Sequence, residues 1–249
     1  MRKKQKLLLA VAVVLILAGL GLLAWQFLPS LNQQRPTVTQ PAPEPAQTPV
    51  VQKPESPIDF ATLTAQNGDV FAYIKVPGTK VDYPVVQHKT DDDFYLKHRS
   101  EDGAYSASGA IYIQSMNTTS LYDPVTVIYG HNGYWDTMFT TLHKFEDAAF
   151  FNEHDVFYLW TPTRQLTYKI FSAFKFDDRH LLNSYNLADA SALASFQDML
   201  QHPASTLKQT REVSLSADSK IVILSTCITG QEENRYLVCG VLTDDQETA

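Results

Sequence analysis

The chain has 249 residues, with 27 Asp and Glu against 20 Lys and Arg, a formal net charge of −7. Four of the positive side chains, Arg2, Lys3, Lys4 and Lys6, crowd the N-terminus, so the remainder is more acidic still, which argues against nucleic acid or an anionic lipid surface as its partner. The length leaves room for one ordinary domain with a substantial core.

The basic tip leads into an uncharged apolar run from Leu7 to Leu28, in which Gln26 is the polar exception. As a helix, at about 1.5 Å per residue, the run spans about 33 Å, enough for a bilayer core. Its flanking charge predicts a single-pass anchor over residues 1–28 with a cytoplasmic N-terminus and the rest of the chain outside the cell. A cleaved signal peptide shares this layout, but the run is long for one and no clear small-x-small site follows. Residues 29–57 hold eight of the 13 prolines and are expected to form an extended, semi-rigid tether. The folded domain is then residues 58–249.

Within it, Ile58 to Ala65 has the spacing of a short helix. β-type runs follow at Val70–Val76, ending at the Pro77-Gly78 turn, then Val81–Gln87, Gly109–Ile113 and Val125–Tyr129, each by its β-branched and aromatic content. Trp135, Met138, Phe139, Leu142 and Phe145 recur at helical spacing, with Asp136 as a possible cap. Val156–Trp160 and Leu166–Phe176 read as neighbours across the Pro162 turn. Leu187 to Leu200 repeats the helical period, and Ile221–Thr226 and Tyr236–Leu242 close the series. About eight short runs predict a mostly β fold, a closed or nearly closed antiparallel barrel with a few helices.

The chemistry gathers at the last two runs. Ile221-Val-Ile-Leu-Ser-Thr-Cys227 ends in a thiol, and Arg235 opens the following run after a short polar loop. If residues 228–234 form a hairpin loop, Cys227 lies opposite Arg235. Cys239 is then about 13 Å away along the strands, too far for a disulfide. Cys227 at a strand tip is the candidate nucleophile, with Cys239 a small core residue. Arg235 carries a permanent charge and a rigid fork of donors suited to an oxyanion or a substrate carbonyl.

A cysteine nucleophile needs an acid–base partner. Among seven histidines, His131 stands out. It follows a strand directly, in Tyr129-Gly130-His131-Asn132-Gly133, with glycines that let the backbone turn. His143 falls off the apolar stripe of its segment and reads as a solvated face. His154 looks like part of a turn, and His88, His98, His180 and His202 lie in polar surroundings. Ser225 shares the strand face of Cys227, as a substrate contact or as an ordinary barrel serine. Asp91-Asp92-Asp93 and Glu232-Glu233 raise the question of calcium, but adjacent aspartates cannot all converge on one ion, and solvated loops are expected.

These residues resemble the sortases, cysteine transpeptidases of Gram-positive cell surfaces. The matching segments are Leu224-Ser-Thr-Cys227, Arg235 at the start of the final strand and Tyr129-Gly130-His131-Asn132. Class B is the nearest in pattern, through Met138-Phe139, Leu142-His143-Lys144-Phe145, Phe94-Tyr95-Leu96 and Gly109–Ile113. The resemblance spans about residues 60 to 243 and implies the eight-stranded sortase barrel with class B helices. It implies that Cys227 attacks the threonine carbonyl of a C-terminal sorting signal to form a thioacyl enzyme. His131 would protonate the leaving amine and deprotonate the incoming one, while Arg235 holds the oxyanion. Asn132, beside the histidine, is a further candidate substrate contact. The acceptor would be an amine of a peptidoglycan precursor or a pilin lysine, and the chemistry needs neither metal nor organic cofactor. Two departures from class B stand out. Ile228-Thr229 follow the cysteine where an acid is often found, and Gln114-Ser115-Met116-Asn117 stands where Asp-x-Arg-Asn is common.

Two other readings of the same residues remain. One is an extracellular cysteine peptidase or L,D-transpeptidase, although in the latter the arginine usually follows the cysteine closely. The other is an anchored β-barrel binding module with an incidental cysteine.

Overall fold

A computed structural model describes residues 53–249. The expected anchor and most of the tether lie outside the described residues, and no described helix is long and apolar enough to cross a membrane. The last tether residues run beside the C-terminus. Lys53 pairs with Glu247 at 2.8 Å, and the Ala249 amide donates to the Pro54 carbonyl at 2.9 Å.

Helix α1 (Phe60–Gln66) starts where Asp59 accepts the Thr62 amide, an N-cap supplied by an ordinary capping residue. Nine strands follow: β1 (Val70–Lys75), β2 (Asp82–Val86), β3 (Ile111–Tyr112), β4 (Val125–Tyr129), β5 (Val156–Thr161), β6 (Arg164–Asp177), β7 (Lys208–Thr210), β8 (Ile221–Ile228) and β9 (Gln231–Glu247). Hydrogen bonding runs β5-β1-β2-β3-β4-β8-β9-β6, and β5 pairs with β6 as well, which closes an eight-stranded barrel and leaves no free edge among those eight. The short β7 joins β6 at Ser172–Phe174, beyond the stretch that β5 covers.

The closed barrel agrees with the sequence reading, but its strands are not all antiparallel. β2 pairs with β3, and β4 with β8, in parallel. A parallel pair needs a long return connection. Residues 87–110 provide one, and β5 to β7 intervene between β4 and β8. The spacing of strands along a sequence carries no record of this.

Strand β8 is buried on both faces from Ile221 to Thr226. Val222 and Leu224 point into the barrel with Phe157, Leu159, Leu166, Tyr168, Tyr236 and Val238. Ile221 and Ile223 point outward into a second core. There they meet Val125 and Val127 of β4, Leu237 and Cys239 of β9, and Leu193, Phe196 and Leu200 of helix α2 (Ala190–Gln201). That helix is capped by Asp189 and matches the expected period.

The expected helix over Trp135–Phe145 does not form. A left-handed turn occupies residues 135–138, with φ of 62°, 58° and 54° at Trp135, Asp136 and Met138, and only a 3-10 segment, Thr140–Glu146, follows. The cause is competition for the backbone. The Phe139 amide donates to the His131 carbonyl, the Met138 amide to the Tyr83 hydroxyl, and the Thr140 hydroxyl serves Gly133 and Thr137. Phe139, Leu142 and Phe145 are fully buried as their spacing predicts, but Trp135 is 91% exposed. Asp136 caps nothing and instead pairs with Lys80.

Gly240 of β9 marks a close approach inside the barrel. A Cβ there would lie 2.4 Å from the Phe157 ring and 3.0 Å from Cβ of Tyr168, against a pair stacked at 5.1 Å. Gly240→Ala is expected to cost about 1–3 kcal/mol by overpacking. The measurement is an earlier urea midpoint with an unchanged slope.

Candidate active site

The site grows from the register of three adjacent strands. Cys227 of β8 is the direct cross-strand partner of Arg235 of β9, so the two side chains leave the sheet on the same face. On the other flank, Tyr129 of β4 pairs with Ser225 of β8, and the Gly130 amide still donates to the Ser225 carbonyl at 3.1 Å. Carried two residues onward, that register sets His131 level with Cys227. Histidine, cysteine and arginine thus form one row across the ends of β4, β8 and β9. Their parity is that of Val127, Ile223 and Leu237, so the row crowns the outer face of the sheet. The inner core stays sealed beneath Thr226 and Tyr236.

The ladder also settles the second cysteine. Cys239 pairs with Ile223, four residues from the Cys227 rung, and both thiols are free, one exposed and one buried. Burial pushes the Cys239 thiol up to about 12, which keeps it protonated and inert. The hairpin is tighter than a seven-residue loop. β8 and β9 flank only Thr229 and Gly230, with a bulge after Cys227, and Asn234 continues its pairing with Asp177 of β6.

His131 is oriented by a single bond. Its Nε2 lies 2.8 Å from the Leu96 carbonyl, which only accepts, so Nε2 carries a proton and Nδ1 keeps the lone pair in the neutral ring. Gly130, expected to supply a sharp turn, has no left-handed φ. A Cβ there would sit 2.5 Å from Ile111 and 2.7 Å from Phe139, so the glycine serves close packing under the histidine. Arg235 donates through Nη1 to the carbonyls of Glu232 at 2.8 Å and Asn234 at 3.0 Å. One arm of the fork is therefore anchored on the hairpin tip.

All three residues border one cavity of about 240 Å³, which Ser225, Tyr112 and Tyr129 also line. The tyrosine rings stack at 5.5 Å. Burial raises both phenols, and the carboxylate of Asp92 adds to this, while Arg235 partly offsets it for Tyr129, which reaches about 12. Both stay neutral hydrogen-bonding groups. Asp93, Asp177 and Asp178 also line the cavity, with Arg179 paired to Asp177 at 2.6 Å.

Several residues take places that differ from their sequence reading. His180 lines the cavity through Nε2 bound to Gln114 Oε1 at 2.7 Å. His143 is no solvated face: its ring stacks on Tyr236 at 5.0 Å and reaches the Cys227 carbonyl. Asn132 is absent from the cavity lining and spends its amide on that same carbonyl at 3.1 Å and on the Thr229 hydroxyl at 3.0 Å. His88 and His98 sandwich Phe94, and His154 stacks on Phe150. Among the acidic candidates, Asp91 accepts the Asp93 amide and Asp92 holds Ser115. No described group of three or more His, Cys, Asp or Glu converges as a metal site.

A sortase domain model matches residues 74–243. Sortase B of Listeria monocytogenes is 29% identical over 186 residues, 74% of this chain and 74% of its own length. Two crystal structures share the fold closely. One is Spy0129, a class B sortase of Streptococcus pyogenes involved in pilus biogenesis, 30% identical with a TM-score of 0.65, covering 75% of this chain and 98% of that one. The other is sortase B of Clostridium perfringens, 31% identical with a TM-score of 0.64, covering 75% and 100%. A family model that spans most of the barrel, and class B structures matched over nearly their whole length, place the chain in the sortase family as a class B-like cysteine transpeptidase.

Proposed function

We propose that this transpeptidase cleaves a C-terminal sorting signal of surface proteins and transfers the acyl part to an amine, with Cys227, His131 and Arg235 performing the chemistry. The observation that carries this is the row of the three residues across adjacent strand ends, bordering one cavity. In the first half, Nδ1 of His131 takes the thiol proton as Cys227 Sγ adds to the scissile carbonyl carbon. The carbon–oxygen π electrons move onto oxygen, and the free donors of Arg235 hold the oxyanion. The intermediate collapses as the carbon–nitrogen bond breaks, and His131 gives its proton to the departing amine, leaving a thioester. In the second half an incoming amine adds to the thioester carbon, His131 takes its proton, and the carbon–sulfur bond breaks as His131 returns that proton to the departing Cys227 sulfur. Nδ1 is the ring atom free for these transfers, because Nε2 is bound to Leu96.

Ser225 lines the cavity beside the thiol and suits a contact with the peptide backbone. The acceptor is the amine of a peptidoglycan precursor or a pilin lysine. The pilus role of the Streptococcus pyogenes relative supports the lysine. The N-terminal run Leu7–Leu28 would anchor the enzyme in the membrane with the domain outside, beside surface-bound substrates.

The test uses the full chain in detergent with peptides bearing candidate sorting motifs, offered a glycyl or a lysyl amine. A thioacyl adduct on the enzyme and an amine-dependent transfer product are expected. A panel that yields neither adduct nor cleavage, with the Cys227 thiol intact, would overturn the assignment.

A further inference from the structure

The main chain of β8 poses an accounting question at Cys227. Carbonyls of a strand alternate in direction, so the Cys227 carbonyl points the same way as that of Ser225, toward β4. The Ser225 carbonyl receives the Gly130 amide. At Cys227 the β4 ladder has ended, and no backbone amide of β4 is left to serve it. Two side chains take over. Asn132 Nδ2 lies 3.1 Å from the Cys227 oxygen and His143 Nε2 lies 3.0 Å from it.

The far side of the His143 ring faces Glu146, with Nδ1 2.6 Å from Oε1. Both partners of the ring are acceptors: a carbonyl oxygen on one side, a carboxylate on the other. The carbonyl accepts from Nε2–H, and a proton lies between Nδ1 and Oε1 across the 2.6 Å contact. The 3.4 Å approach of Asn132 Nδ2 to His143 Nε2 is then two donors aimed at one oxygen. Stacking on Tyr236 fixes the plane of the ring, and Asn132 ties the clamp to the hairpin turn through Thr229.

We infer that His143, held by Glu146 and assisted by Asn132, is a positioning residue for the transpeptidase reaction: it clamps the Cys227 carbonyl and thereby fixes the direction of the nucleophilic thiol. The clamp has a mechanical reason. Regular pairing of β8 with β9 shifts just after Cys227, and β4 has already stopped, so the strand end that carries the thiol is held by the β9 ladder on one side and by no strand on the other. Attack on a carbonyl demands close alignment, and a misplacement of about 1 Å costs about 100-fold.

The inference rests on Cys227 being the nucleophile, and the experiment separates the two. Full-chain enzyme in detergent is assayed for thioacyl formation on a cleaved sorting peptide, with kcat and KM resolved. His143→Ala is expected to lower kcat about 10- to 100-fold with KM within about twofold. His143→Gln, which returns one donor, recovers part of that loss. Glu146→Gln leaves the ring without its second acceptor charge and is expected to fall with His143→Ala, and the double variant is no worse than His143→Ala alone. Wild-type kcat in His143→Ala, a loss carried by KM, or equal losses in the Ala and Gln variants would each overturn the clamp. Cys227→Ala, run beside them, reports on the nucleophile itself. An active Cys227→Ala sinks the functional reading, whereas an inactive one beside a normal His143→Ala sinks only the clamp.

Discussion

Cys227→Ala is expected to abolish thioacyl formation and peptide cleavage, a loss of at least about 10⁴-fold, while leaving the fold intact. The side chain sits at the exposed end of an otherwise buried strand, so truncation opens no cavity and removes no core contact. Nothing nearby can replace the thiol. Ser225 lies on the same face but is tucked against β4 and β9 at 5% exposure, and Cys239 lies four rungs down the ladder inside the outer core. Cys239→Ala makes the matching control. It removes a small buried group at a cost of about 1 kcal/mol and should leave turnover unchanged. Chemical labelling separates the pair in another way. Iodoacetamide should modify one thiol per native chain, at Cys227, because burial holds the other as a protonated, inaccessible group. Intact-mass analysis of labelled protein and of enzyme mixed with peptide reads both results. A second labelled site in the native state, or an acyl adduct on Cys227→Ala, would contradict the assignment.

The pairing of Cys227 with Arg235 was legible because β-structure turns sequence arithmetic into geometry. Once Ile221–Thr226 and Tyr236–Leu242 are strands of one hairpin, a period of two fixes which side chains share a face, and the distance from Cys227 to Cys239 excludes a bridge without further information. The observed register is the one that arithmetic implies. The Trp135–Phe145 segment failed for the opposite reason. Its apolar spacing reflects true burial of Phe139, Leu142 and Phe145, but burial periodicity is blind to hydrogen bonds such as those from Met138 to Tyr83 and from Phe139 to His131, which divert the backbone before a helix can form. The contacts of His143 and His180 were hidden as well. Each meets a partner remote in sequence, Cys227 for one and Gln114 for the other, and no local pattern distinguishes such a histidine from a solvated one. The parallel pairings were equally silent, since they are a property of long connections.

Arg235→Lys is expected to behave almost like Arg235→Ala, with kcat reduced about 100- to 1000-fold in both. Charge alone would predict otherwise, because lysine keeps it. The difference lies in how the guanidinium is held. Its Nη1 is committed to the carbonyls of Glu232 and Asn234, which braces the hairpin tip and leaves Nε and Nη2 as a rigid pair of donors above the cavity that Cys227 borders. A lysine has one nitrogen for both tasks. If it satisfies the two carbonyls it has turned toward the tip, and if it reaches the cavity the carbonyls are left to solvent. Kinetics distinguish the possible roles. An oxyanion donor is engaged only as negative charge develops, so its loss appears in kcat and kcat/KM together. A residue that merely orients the bound peptide would raise KM and spare kcat. The acyl-enzyme step, measured as a burst with saturating sorting peptide, should therefore slow in Arg235→Lys while the peptide concentration at half-saturation stays within a few-fold. Near-wild-type kcat in the lysine variant would mean that a diffuse positive charge suffices, and that the anchored fork serves only the hairpin.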